Sequence, residues 1–212
     1  MEEQLKTGTT TVAMVCKDGV VLAADKRATA GSMVVDKRAD KTHIITDDIA
    51  VTIAGSVSDA QLIIKLIRAE LKLKEVRTNK RCTAKEAANL LGGILYGNLR
   101  RMSMYPGIAH FLMGAKDADG VHLYDLFPDG SVTKIRDFVS SGSGSVFAYG
   151  VLETQYRPDM SVSDGVKLAV KCVNTALQRD TYSGNGIDVV VVTDKEIKRV
   201  MAKEVEINLD AR

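Results

Sequence analysis

The chemically most suggestive part of the sequence is its start, where Gly8 precedes Thr9, Thr10 and Thr11, and an apolar run from Val12 to Cys16 follows at once. Cleavage before Thr9 would put a hydroxyl and a new α-amino group on one residue, a nucleophile that carries its own base. An α-amino group titrates near about 7.7–8.0, well below a lysine, so at neutral pH an appreciable fraction is free to accept a proton. The β-branch of threonine restricts χ1 and can hold the hydroxyl in one attack rotamer. Gly8, without a Cβ, lets that hydroxyl approach its own carbonyl and permits unusual backbone angles, both useful for self-cleavage. Residues 1–8 are acidic and lack an apolar core, so they also read as a frayed tail before a first strand. Composition alone leaves both readings open.

Other chemistries have fewer of their parts. His43, His110 and His122 each stand alone in a predicted strand, and no Gly-x-Ser-x-Gly elbow accompanies them, so each reads as structural or surface rather than as a triad base. The run Gly142-Ser143-Gly144-Ser145 lacks the Gly-Lys-Ser/Thr of a phosphate loop, and no spaced acidic or histidine cluster suggests a metal. Three cysteines, an odd number with no Cys-x-x-Cys pair, encode neither a disulfide framework nor a zinc site and fit a reducing compartment. With 29 basic against 27 acidic residues interspersed, few aromatics and no basic block, the chain shows no nucleic-acid or membrane-surface footprint. It has no secretory signal and no run of about 18 apolar residues, so a cytoplasmic protein is expected.

The elements that must position these residues follow from pattern. Asp18-Gly19 divides strands at 9–16 and 20–24 as a hairpin signal. A second pair is expected at 43–46 and 49–54, stopped by Gly55. From Ser58 a helix carries Ala60, Ile63, Ile64, Ile67 and Leu71 on one stripe, which Leu62 and Leu66 widen as if it were buried on more than one side. Thr83-Ala84-Lys85-Glu86 has capping-box spacing for a helix over 84–102, weakened in its middle by Gly92-Gly93. Three strands read as a meander at 109–115, 121–127 and 132–138; a short helix to 156 and a longer one from 163 to 179 follow, and the last strand is 187–193. Strands, two helices, strands, two helices and a strand argue for the α+β class: antiparallel sheets covered by segregated helix pairs in a four-layer α/β/β/α sandwich. With no linker or internal repeat, residues 9–212 read as a single domain, with 1–8 as the candidate propeptide.

Several motifs in order, Gly8-Thr9-Thr10-Thr11-Val12, Ala23-Ala24-Asp25-Lys26-Arg27, Lys41, Thr52-Ile53-Ala54-Gly55, Gly142-Ser143-Gly144-Ser145 and Gln178-Arg179-Asp180, resemble those of proteasome β subunits of archaeal type. The likeness runs from Thr9 through nearly the whole chain. It implies the N-terminal-nucleophile hydrolase fold, the same sandwich, and a threonine endopeptidase that self-cleaves at Gly8-Thr9 and then acts through an acyl ester on Thr9, with no cofactor and no metal. By the same matching Lys41 would stabilise negative charge, Asp25 would keep it charged and oriented, and the Gly55 amide would serve the oxyanion. Ser143, Asp180 and Ser183 would orient the threonine amine, and Ala28, Ile53 and Val57 would line the pocket for the residue before the scissile bond. The implied partners are other β subunits in a heptameric ring, α-subunit rings, a regulatory ATPase and unfolded polypeptides. The alternatives are a non-catalytic ring subunit and another N-terminal-nucleophile amidohydrolase.

Overall fold

A computed structural model describes residues 8–104 and 106–204; of the candidate propeptide, residues 1–7 lie outside the described residues. The Asp18-Gly19 signal makes its hairpin: β1 (Thr11–Cys16) pairs antiparallel with β2 (Gly19–Asp25). β11 (Gly186–Val192) joins β2, β12 (Ile197–Glu204) joins β11, and β10 (Phe138–Ser141) flanks β1, giving the order β10-β1-β2-β11-β12. The second sheet is β5 (Thr42–Thr46), β6 (Ile49–Gly55), β7 (Ala109–Asp117), β8 (Gly120–Leu126) and β9 (Val132–Ile135) in that order. A separate hairpin joins β3 (Ala28–Ala30) to β4 (Met33–Asp36).

Side-chain alternation then builds the layers. Val12, Met14, Val21 and Ala23 face α3 (Ser145–Gln155) and α4 (Val162–Arg179), burying Ala148, Leu152, Leu168 and Val173. Ala13, Val20 and Leu22 point the other way and meet Ala50, Leu112 and Leu123 of the second sheet. The far face of that sheet, with Val51, Phe111 and Met113, takes the buried stripes of α1 (Val57–Thr78) and α2 (Ala84–Leu99). The result is the expected four-layer α/β/β/α sandwich. Each large core side chain contributes about 1.5–3 kcal/mol of burial. No helix among the described residues is long and apolar enough to cross a membrane.

The capping box forms: the Glu86 amide donates to Thr83 Oγ1 at 3.2 Å and the Thr83 amide to Glu86 Oε2 at 2.9 Å. Gly92, expected to weaken α2, is required there, because a Cβ would press between Val132 Cγ2 at 2.5 Å and Gly130 O at 3.0 Å. Four expectations are corrected. Leu62 and Leu66 do not extend the buried stripe of α1 but stay 44% and 43% exposed. The expected strand over 132–138 breaks at Arg136-Asp137, where the chain leaves the second sheet at Ile135 and enters the first at Phe138. The strand at 187–193 is followed by β12, and β3–β4 was not expected at all.

Candidate active site

Thr9 lies two residues before the start of β1 and is almost fully buried. Its backbone is held from both sides. The next residue donates its amide to Asp25 Oδ1 at 3.0 Å, and the Asp25 amide donates to the Thr10 carbonyl at 3.1 Å, so the end of β2 fixes the start of β1. On the other side the turn after β10 wraps around Thr9. Gly142 adopts φ +92°, and a Cβ there would collide with the Thr9 carbonyl, while the Gly144 amide donates to that carbonyl at 3.2 Å. Only glycine at 142 supplies both the left-handed turn and the close approach.

A directional hydrogen-bond chain runs from this backbone into the loop after α4. The Thr9 amide donates to Ser143 Oγ at 3.2 Å, and Ser143 Oγ donates to Asp180 Oδ2 at 2.6 Å. From the opposite side Thr10 Oγ1 meets Ser183 Oγ at 2.7 Å, and Ser183 Oγ donates to the same Asp180 oxygen at 2.6 Å. Asp180 thus terminates two hydroxyl relays and leaves Ser143 presenting its lone pairs to the Thr9 nitrogen.

Asp25 has no exposed surface and accepts four donors: Thr10 N and Lys41 Nζ (2.7 Å) on Oδ1, and the amides of Arg27 (3.0 Å) and Gly184 (2.9 Å) on Oδ2. So many N–H donors match an ionised carboxylate. Burial pushes the Lys41 ammonium below its ordinary 10.5, against the opposing pull of Asp25. Lys41 Nζ also donates to the Gly8 carbonyl oxygen at 3.2 Å, and Thr9 Oγ1 donates to that same oxygen at 2.6 Å. The hydroxyl, the ammonium and the Gly8-Thr9 peptide bond are therefore in one place. Such an arrangement can place a nucleophile beside a carbonyl and a positive charge on the oxygen that becomes negative.

Of the expected site residues, Thr9, Asp25, Lys41, Ser143, Asp180 and Ser183 fall into one hydrogen-bonded cluster. Gly55 ends β6 with φ +104°, and a Cβ there would meet the Ile108 carbonyl. Its strand is tied to Lys41 through the Ile53 amide, which donates to the Lys41 carbonyl at 2.9 Å. Ala28 on β3 and Ile53 on β6 are buried, whereas Val57 at the start of α1 is 45% exposed.

Sequence reasoning passed over four residues that shape the site. Thr10 carries one of the hydroxyl relays. Arg27 donates through Nε to Asn185 Oδ1 at 2.8 Å and through Nη1 to the Thr181 carbonyl at 2.9 Å, bracing the loop that holds Asp180 and Ser183. Thr29 Oγ1 accepts the Gly8 amide at 3.2 Å, and Tyr182 packs so closely that a Cβ on Gly8 would overlap it. The adjacency of Thr10 to Thr9 and of Arg27 to Asp25 was a usable signal; for Thr29 and Tyr182 none existed.

Two face-to-face antiparallel sheets between helix pairs, with a threonine just ahead of β1, make the N-terminal-nucleophile hydrolase fold. The chain belongs to the proteasome subunit family: the sequence pattern of that family, described as "Proteasome subunit", matches residues 5–192. The proteasome subunit beta of Methanocaldococcus vulcanius is 45% identical over 199 residues, 93% of this chain and 87% of the relative. That of Methanocaldococcus fervens is 46% identical over 200 residues (94% and 88%), and that of Ferroglobus placidus 42% over 210 residues (99% and 98%). The chain is thus a β-type subunit of the proteasome core, in a family of peptidases.

Proposed function

We propose that the chain is a threonine-type endopeptidase that matures by cutting its own Gly8-Thr9 bond. Thr9 Oγ1 attacks the Gly8 carbonyl carbon, the C–N bond breaks as the hydroxyl proton passes to the departing Thr9 nitrogen, and the resulting ester is hydrolysed by water. Residues 1–8 leave, and Thr9 gains a free α-amine. In turnover that amine takes the Thr9 hydroxyl proton, through a water, while Oγ1 attacks a peptide carbonyl of the substrate; the new amine end departs and water resolves the acyl ester. Lys41 supplies positive charge near the nucleophile, Asp25 holds Lys41, and the Gly55 amide serves the oxyanion. Ser143, Asp180 and Ser183 orient the amine. Ala28, Ile53 and Val57 line the pocket for the residue before the cut and, being apolar, favour hydrophobic side chains.

The observation that carries this reading is the convergence of Thr9 Oγ1 (2.6 Å) and Lys41 Nζ (3.2 Å) on the Gly8 carbonyl oxygen. By the same reading the subunit works in the cytoplasm in heptameric β rings stacked against α-subunit rings, with an ATPase delivering unfolded polypeptides. Intact mass and peptide hydrolysis of the assembled particle test it. Thr9→Ala should abolish both loss of residues 1–8 and hydrolysis; if either persists in that variant, Thr9 is not the nucleophile.

A further inference from the structure

Beyond the hydrogen-bonded cluster around Thr9, the layer between the two sheets ends in a second polar group. Leu112, Leu123 and Val139 fill that layer with apolar contacts. Two residues further along each strand, on the same faces, stand His110, Asp125 and Ser141. His110 Nε2 lies 2.5 Å from Asp125 Oδ1, and Nδ1 lies 2.6 Å from Ser141 Oγ. With the Nε2 proton donated to the carboxylate, Nδ1 carries the lone pair that accepts the Ser141 hydroxyl. The Phe127 ring, its centroid 4.4 Å from that of the imidazole, fixes the plane.

The three residue types are those of a serine-hydrolase triad, with Ser141 6% exposed at the end of β10. Position explains the trio better. Ser141 ends β10, directly before Gly142 and Ser143, the turn that encloses Thr9. His110 is paired across β6–β7 with Ala54, next to the Gly55–Ala109 pair, and two residues from Ile108, whose carbonyl accepts the Ser56 amide at 2.8 Å. One imidazole therefore links the two sheets: it stands on the strand paired with the Gly55 end of β6 and hydrogen-bonds the side chain of Ser141, two residues before Ser143.

We propose that His110 is a positioning residue: by bridging Asp125 and Ser141 across the two sheets it sets the separation between the Thr9 end of the first sheet and the Gly55 end of the second. This rests on the threonine-peptidase reading above. A nucleophile and an oxyanion donor on separate sheets need such a tie, because misplacement by about 1 Å costs about 10²-fold in rate.

The test is steady-state peptide hydrolysis by the assembled full-chain particle. His110→Phe, which keeps the ring and loses both hydrogen bonds, should lower kcat about tenfold with KM within about twofold, and Ser141→Ala should do the same. The double variant should be no slower than either single, because both remove one tie. His110→Gln, whose amide can donate to Asp125 and accept from Ser141, should recover most of kcat. Wild-type kcat in Ser141→Ala, or losses that multiply in the double variant, overturns the proposal. If His110→Phe fails to assemble, Ser141→Ala and His110→Gln still decide. Thr9→Ala run in parallel separates the two claims: its inactivity beside normal His110 and Ser141 variants sinks only the positioning role, and its activity sinks the reading beneath it.

Discussion

Lys41 Nζ sits 3.2 Å from the Gly8 carbonyl oxygen and 2.7 Å from Asp25 Oδ1, so one buried ammonium joins the Gly8-Thr9 peptide group to the end of β2. The ion pair alone is poor support for the fold, since taking both charges out of water offsets much of their attraction. Its value lies in the third group, the carbonyl that shares the ammonium with Asp25.

Lys41→Ala should therefore leave a folded chain, because Asp25 keeps three backbone N–H donors from Thr10, Arg27 and Gly184. Turnover should fall by about 10²–10³, the range for removing one group that stabilises an oxyanion. Circular dichroism and peptide hydrolysis measured together check this, and near-normal rates would reduce Lys41 to a structural charge.

The lowered titration of Lys41 gives a signed pH dependence. Its cause is burial, partly offset by Asp25, so the folded protein releases this proton below the ordinary 10.5 while the unfolded chain holds it until 10.5. Between those values the unfolded state binds more protons, so the Lys41 contribution to stability increases as pH rises. Activity that needs the ammonium declines across the same window. Lys41→Arg, whose guanidinium stays charged, should remove that alkaline decline in whatever activity remains. An alkaline limb unchanged in Lys41→Arg would mean that another group titrates there.

Gly8→Ala should block maturation for a steric reason. The added Cβ would overlap Tyr182, so the Gly8 carbonyl must leave the place where Thr9 Oγ1 and Lys41 reach it. Loss of residues 1–8 should slow by about 10²-fold, followed by intact mass, and Tyr182→Gly, which removes the Cβ that the new methyl would meet, should restore part of the rate when added to Gly8→Ala. If Gly8→Ala matures normally, the peptide bond is not held in its reactive pose by this contact.

What could be read from sequence followed from how much each residue is committed locally. The β1–β2 turn, the capping box at Thr83 and the stripe at Ile63, Ile64 and Ile67 are local signals that survived folding. The β3–β4 hairpin carried none: Met33 and Val35 are 69% and 59% exposed, so its apolar pattern marks no buried face. β12 is an edge strand with mostly exposed, charged residues, and the break at Arg136-Asp137 depends on which sheet each half joins. At the site, Gly8-Thr9 stood out from the residue types themselves, whereas Asp25, Lys41 and Asp180 were found through family resemblance, since only the fold brings positions so distant together. His110 was read as structural or surface; its bridge needs a serine on β10 and an aspartate on β8, pairings that no local pattern encodes.

A last prediction concerns how Lys41 is held from behind. Thr42 donates its hydroxyl to Asp188 Oδ2, and Arg199 reaches both partners, donating through Nη2 to the Thr42 carbonyl at 3.0 Å and lying 3.4 Å from Asp188 through Nη1. Asp188 is 1% exposed, and its Oδ1, like Thr52 Oγ1 on the strand paired with Thr42, has no hydrogen-bond partner among the described residues. Asp188→Ala therefore orphans the Thr42 hydroxyl, a loss of about 1–3 kcal/mol. At roughly 2–4 °C per kcal/mol for a chain of this size, thermal unfolding should show it clearly. Because Thr42 adjoins Lys41, kcat should fall as well. Thr42→Val in the Asp188→Ala background removes the orphan and should return part of the stability, whereas Thr42→Val alone should destabilise by leaving Asp188 short of a donor. Additive losses in the double variant would show that Asp188 contributes through burial alone and does not hold Lys41 in place through Thr42.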